Sequence, residues 1–240
     1  YPHLIEKYYS NGIGKIFRLA LNSISRVFPF SLAEILYYSL ILLLIFFIIR
    51  LIYSIFNKKP VDSLLDLLTY LSLLYVLFMV LWGFNYNRMP LSYTLNLTVE
   101  ESSENELYDL CQELIRRANR LRTQLDENSE GVVNMQGNYK NIFDRAYSSY
   151  EMLGDIYPEL GGYYGDPKPI LASPLMSYTG ITGMYMPYTG EANVNINIPE
   201  FTLPSTATHE MAHQRGFARE DEANYLAYLS CILHPDEDFQ

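Results

Sequence analysis

Histidine, cysteine and tryptophan are scarce in this sequence: four, two and one in 240 residues. The two cysteines, Cys111 and Cys231, are far apart and show no Cys-x-x-Cys spacing, so a disulfide framework is excluded. They read as half-buried free thiols, with a single bridge as the alternative. Basic residues are sparse after position 82. Residues 83–240 hold 10 against 23 acidic side chains, whereas 1–82 hold 7 against 4. So acidic a part would repel nucleic-acid phosphates, and it suits a domain held off an anionic membrane surface. No methionine opens the chain at Tyr1. That suggests a processed or cropped piece, with room upstream for a signal peptide or a further membrane helix. The acidic stretch 236–240 carries no domain terminator, so a crop is expected there too. No internal repeat is visible, and the length suits one good-sized domain plus a membrane-spanning segment.

What the sequence has is long uncharged runs. Residues 35–49 carry no charge, and 67–87 are 21 uncharged positions in a row. About 20 apolar residues cross a bilayer core, so both runs are expected to span one. They are apolar all round, which disfavours a pair of core helices in a soluble protein. The short connector holds Lys58 and Lys59, with Arg50 near the same end, so the positive-inside rule puts that loop in the cytoplasm. Trp82 and Tyr86 then act as aromatic anchors at the opposite interface, and the chain beyond them is extracytoplasmic. Residues 1–30 fall on that same side, mildly opposed by Lys15, Arg18 and Arg26. Their apolar positions (Ile13, Ile16, Phe17, Leu19, Ala20, Ile24, Val27) have helical spacing, which fits an interfacial helix or one packed on the domain. The expected organisation is 1–30 extracytoplasmic or interfacial, 31–87 a transmembrane hairpin, and 88–240 a folded domain.

In that last part, Leu107, Leu110, Leu114, Ala118 and Leu121 predict an amphipathic helix over 98–125, begun by Thr98. Its arginines alternate with acidic residues, as on a solvated face. A second helix is expected over 139–153, closed by Gly154. Beyond Tyr157 the chain turns to Gly, Pro and Tyr, then to two or three short β-prone runs. The alternation in 192–198 marks a half-buried strand. The fold class is therefore α+β.

The chemistry lies in His209-Glu210-Met211-Ala212-His213. Ser205 reads as an N-cap and Gly216 as a C-terminal stop, so the run is a helix with both histidines on one face, a turn apart. Zinc accepts neutral imidazole nitrogen and typically takes three protein ligands plus water at a catalytic site. It acidifies that water and polarises a carbonyl. Glu210, rotated off the histidine axis, is placed to take the proton. The pattern arises in roughly 0.5% of shuffled chains of this composition, so chance explains it poorly. A metzincin third histidine is missing, because Arg219 stands at its position. Among Glu220, Asp221 and Glu222, opening a helix over 223–233, the face shared with Tyr225, Leu226, Leu229 and Leu233 predicts Glu222 as third ligand. Acidic residues in a first turn also compensate the helix dipole without binding anything.

The stretches THEMAHQRGFAREDEANYLAYLSC, MSYTGITGMY and GEANVN, with IEKYYSNGI and PFSLAEILY before the first run, resemble an uncharacterised bacterial membrane family, domain of unknown function 3810. The resemblance implies a multi-spanning protein with an extracytoplasmic zincin-like domain of gluzincin type. A similar E-x-E-A-N segment in another zinc peptidase group has its Glu before Ala-Asn on the metal, which again implies Glu222. In zincin folds a strand edge beside the motif helix binds the substrate backbone. By that resemblance 191–198 is the expected edge, with Asn193 and Asn195 as amide contacts or as plain strand residues. Oxyanion donors are sought among Tyr178, Tyr225, Tyr185 and Arg215. The reading is a zinc (Zn2+) metallopeptidase anchored in the lipid bilayer that hydrolyses a peptide or protein substrate outside the cytoplasmic membrane, with Glu210 activating the water. A non-catalytic sensor or assembly protein with a structural metal is the alternative. An intramembrane protease is disfavoured by the charges of 205–222, each costly at mid-bilayer.

Overall fold

The computed structural model describes residues 1–58 and 60–240; Lys59, one of the two loop lysines, lies outside them. A π-helical segment, Ile5–Ile13, runs into helix α1 (Gly14–Ser25). Two long helices come next, α2 (Leu32–Phe56) and α3 (Pro60–Leu81), packed against each other. Both are long and apolar enough to cross a membrane, and almost none of either is buried against protein. At 1.5 Å per residue each exceeds a hydrocarbon core of about 30 Å. Within the pair, Arg50 meets Asp66 at 2.7 Å and the Tyr70 hydroxyl donates to Leu40 O at 2.7 Å.

The start of α2 is tied to the rest of the protein by charge. Ser31 caps it, and the Glu191 carboxylate accepts from Leu32 N and Ala33 N, placing an anion at the positive end of the helix. Lys168 neutralises Glu191 in a buried pair, and Ser31 Oγ donates to Asn193. Glu34, one turn on, accepts from Leu171 N and Ala172 N.

After α3 come a short turn, a helical turn Leu91–Leu95, and α4 (Glu104–Arg122), opened by a Ser103/Glu106 capping box rather than at Thr98. No residue of α4 is buried. Helix α5 (Tyr139–Ile156) carries the core through Ile142, Phe143, Ala146, Tyr150 and Leu153. It runs past Gly154, the expected stop, because the absent side chain there lets Gly161 approach: a Cβ would stand 2.7 Å from Gly161 Cα. Strands β1 (Lys168–Pro169), β2 (Gly183–Met186) and β3 (Glu191–Val194) form a sheet ordered β1-β3-β2, with β1 parallel and β2 antiparallel to β3. Residues 173–177 form a helical turn, not a strand. Helices α6 (Leu203–Gln214) and α7 (Glu220–Leu233) pack on each other and on α5, making the molecule a helix-rich mixed fold around a small sheet.

Residues 1–30 are built into this body. Glu6 and Arg88 form a buried ion pair at 2.6 Å, and Arg88 also donates to Gly216 O at 3.0 Å and lies over the Phe217 ring. Removing either partner would strand a buried charge, at a cost of about 3–5 kcal/mol. Both cysteines are free, Cys111 exposed and Cys231 buried.

Candidate metal centre

Helix α6 starts two residues before Ser205, with Thr202 at its N-cap and Pro204 in the first turn, where no backbone N–H is needed. Its end is a double wrap: Gly216 N donates to His213 O and Phe217 N to Ala212 O. That motif needs the left-handed φ of +87° held by Gly216. It reverses the chain so that α7 returns along α6. Tyr150 OH holds Thr208 O at 2.8 Å, and Thr208 Oγ1 meets Cys231 Sγ across the two helices at 3.3 Å.

On this frame His209 and His213 turn their Nε2 atoms toward each other at 3.1 Å. Their other nitrogens are occupied. His213 Nδ1 faces Phe217 O at 2.6 Å, and His209 Nδ1 faces Asn224 Oδ1 at 2.9 Å. A carbonyl oxygen can only accept, so both rings donate from Nδ1, which in the neutral tautomer turns both Nε2 lone pairs toward one point. Two lone pairs at that separation repel unless a cation sits between them. The Glu220 carboxylate completes the group, with Oε2 3.1 Å from His209 Nε2 and Oε1 3.6 Å from His213 Nε2. Ligand atoms of His209, His213 and Glu220 all lie within 4.8 Å of one another. Tetrahedral zinc with bonds of about 2.0–2.1 Å spaces its donors at about 3.3 Å, so this set fits. Burial lowers the His213 pKa, aided by neighbouring His209 and opposed by the Phe217 carbonyl and Glu220. The ring is thereby kept in the neutral form that ligates.

Glu210 is almost completely buried beside the cluster. Burial first, and then the Glu220 charge, push its carboxyl well above the usual range, while the Tyr185 backbone N–H opposes them. Its Oε2 has no hydrogen-bond partner among the described residues. Strand β2 makes the space: a Cβ at Gly183 would stand 2.5 Å from Glu210 Oε1. With Tyr185 N–H aimed at Glu210, strand alternation turns the backbone groups of Gly183 to that same free edge of the sheet. The residues open into a cleft of about 840 Å³, also lined by Trp82, Tyr86, Ile181, Phe201 and Tyr228. Trp82 stands edge-on to His213, with ring centres 5.7 Å apart.

Four sequence expectations need correcting. Glu222 is not brought to the histidines; its carboxylate accepts from Leu91 N at 2.8 Å and pairs with Arg219 at 3.3 Å. The reason is the rotation of α7. Its large apolar residues Leu226, Leu229 and Leu233 pack into the core, whereas Glu220, Asn224, Tyr228 and Cys231 line the cleft beside α6. The spacing of 220, 224, 227 and 231 was the available signal. Secondly, the strand ends at Val194 rather than 198, and β3 is the central strand of the sheet, so Glu191–Val194 offers no edge. Asn193 and Asn195 are buried and spent internally, on Ser31 and Met184 O and on Ser177 and Ile181 O respectively. Thirdly, Tyr178 is exposed outside the cleft and Tyr225 lines a different cavity, beside Leu91 and Glu222. Lastly, Arg215 is buried, donating to Leu160 O, Gly162 O and Met211 O. The Tyr185 hydroxyl is buried as well, with no hydrogen-bond partner among the described residues. Sequence reasoning weighed Glu220 but passed it over for Glu222, and missed Asn224, Gly183 and Tyr228.

The chain belongs to the family described as Protein of unknown function (DUF3810), whose model matches residues 9–240. No curated protein and no solved structure matches it.

Proposed function

We propose that the protein is a zinc-dependent peptidase of gluzincin type. Helices α2 and α3 anchor it in a membrane, and the loop after Arg50 faces the cytoplasm while the metal domain lies on the other side. One observation carries the reading: two imidazole Nε2 lone pairs and a carboxylate converge beside a buried carboxylate that has an unpartnered oxygen. His209, His213 and Glu220 would hold the metal. Bound there, zinc supplies Lewis acidity to a substrate carbonyl and acidifies a water. Glu210, with its carboxyl raised by burial and its Oε2 unpartnered among the described residues, would hold and move a proton as the general base and then the general acid of hydrolysis. The free edge of β2 aligns an extended peptide by strand addition, replacing Asn193 and Asn195 in the role expected of them. Asn224 and the Phe217 carbonyl fix the imidazole tautomers.

The alternative, a sensor or assembly protein with a structural metal, fits less well. Structural zinc is usually enclosed by four protein ligands, whereas three donors here open on a broad cleft. The test is Glu210→Gln in the purified full chain. It should keep one zinc per chain by elemental analysis and lose cleavage of a broad peptide library. Equal cleavage by the variant would sink the mechanism; zinc binding without cleavage by the native chain would favour the alternative.

A further inference from the structure

Helix α1 is inside out. Gly14, Arg18, Asn22 and Ser25, at helical spacing, are buried in the domain, while Ile16 and Ile24 and the flanking Ile13 and Val27 point outward, Val27 with 75% of its surface exposed. A helix covering a water-facing domain shows the reverse order. The buried polar face is tied to the domain through Arg18 Nη2, which donates to Ser10 O at 2.7 Å, and through Asn22, which donates to Gly190 O at 3.1 Å. The outward stripe continues onto α3. Helix α1 packs beside α3, Tyr9 OH donates to Val80 O at 2.7 Å, and Tyr188, two residues from Gly190, donates to Leu74 O at 3.0 Å. Positions 74–81 of α3 present their own apolar side chains outward, among them Tyr75 and Val76. Whatever medium surrounds α3 there also covers α1. A second apolar prominence stands at the start of α2. Leu171, held by Glu34 in the first turn of that helix, is exposed together with Leu175 and Tyr178. Exposed apolar surface beside both the start of α2 and the end of α3, which lie on the same side of the hairpin, fits an acyl-chain boundary. The metal cleft opens at this level: Trp82, the residue after α3, touches His213, and Tyr86 and Ile181 line the walls.

We infer that the domain rests on the bilayer along α1 and the 171–178 segment, and that its substrates are polypeptides tethered in the same bilayer and cut just outside it. The substrate class rests on the peptidase reading; the contact with the bilayer does not. A chain rising from a membrane anchor enters the cleft at the level of Trp82 and meets the free edge of β2. Confinement to the membrane raises its effective concentration over that of a soluble peptide.

Two measurements on the full chain in phosphatidylcholine–phosphatidylglycerol vesicles separate these parts. Nitroxides are placed at Ile16→Cys, Val27→Cys and Leu175→Cys in a Cys111→Ser background, with Glu113→Cys on α4 as the aqueous control. The first three are expected to be accessible to oxygen and shielded from a nickel chelate, and the control the opposite. Chelate access at all three would overturn the bilayer contact, and so would shielding from both reagents, which marks a protein partner such as a second copy. A random peptide library is then offered to the zinc-loaded protein either free or doubly acylated in the same vesicles. Tethered members should be cut at least about tenfold faster, with cuts beside the anchor. Equal rates would overturn the substrate class and leave the peptidase reading intact. Cleavage of neither library would overturn the peptidase reading, and the substrate class with it.

Discussion

Truncating Glu220 to alanine should release the metal, whereas truncating Glu222 should unsettle the fold and leave the metal in place. The two lie two residues apart on α7, yet only Glu220 reaches the histidines, at 3.1 and 3.6 Å. Loss of an outer-shell partner typically weakens metal binding 10–100-fold, so loss of a ligand should exceed about 100-fold, or about 2.8 kcal/mol. Glu220 is largely exposed, so in the metal-free protein its removal should change thermal stability by no more than about 0.5 kcal/mol. Glu222→Ala instead leaves the Leu91 N–H and Arg219 without their buried acceptor. That costs about 1–3 kcal/mol, which is several degrees in Tm for a domain of this size. Zinc affinity is read by competition with a chromophoric chelator, and Tm by thermal denaturation of the same detergent-solubilised preparations. If Glu222→Ala lost zinc as steeply as Glu220→Ala, or if Glu220→Ala kept native affinity, the assignment of the third ligand would be wrong.

Asn224→Ala removes the acceptor that orients His209, so zinc binding should weaken by about 10–100-fold while activity recovers at saturating zinc. Gly183→Val pushes a side chain into the space of the Glu210 carboxylate; cleavage should collapse with zinc stoichiometry unchanged, as read by elemental analysis. Burial alone would raise the Asp238 carboxyl, but the Arg145 hydrogen bonds and the Gln136 N–H outweigh it and hold it below its ordinary value. Its contribution to stability is therefore full above the unfolded value near pH 4 and is lost as pH falls through the lower folded value. Asp238→Asn should flatten this acid limb in denaturation curves measured from pH 6 to 2; an unchanged limb would count against the pairing.

Features set by neighbours along the chain were readable in advance. The uncharged runs marked α2 and α3 because a bilayer-length apolar helix needs no partner to be recognised. The i, i+4 spacing put His209 and His213 on one face because helical geometry is local. Glycine proved a poorer guide. Gly216 does end α6, through its left-handed φ, but Gly154 ends nothing, since it serves a contact with distant Gly161.

What only the tertiary structure decided is which face each element turns inward. Helix α7 carries two stripes, one of large apolar residues and one running through Glu220, Asn224 and Tyr228, and either could have met the histidines. The core under α5 took the bulky stripe, so the cleft received Glu220. Strand order works the same way. Alternation suggested a half-buried strand over 192–198, whereas β3 is Glu191–Val194 and buried throughout, because it pairs with both β1 and β2; Asn193 within it and Asn195 just beyond it are internal fasteners. Spacing of a few residues fixes what shares a face. Which partner that face meets depends on competition among segments far apart in the chain, and that is settled only when they pack.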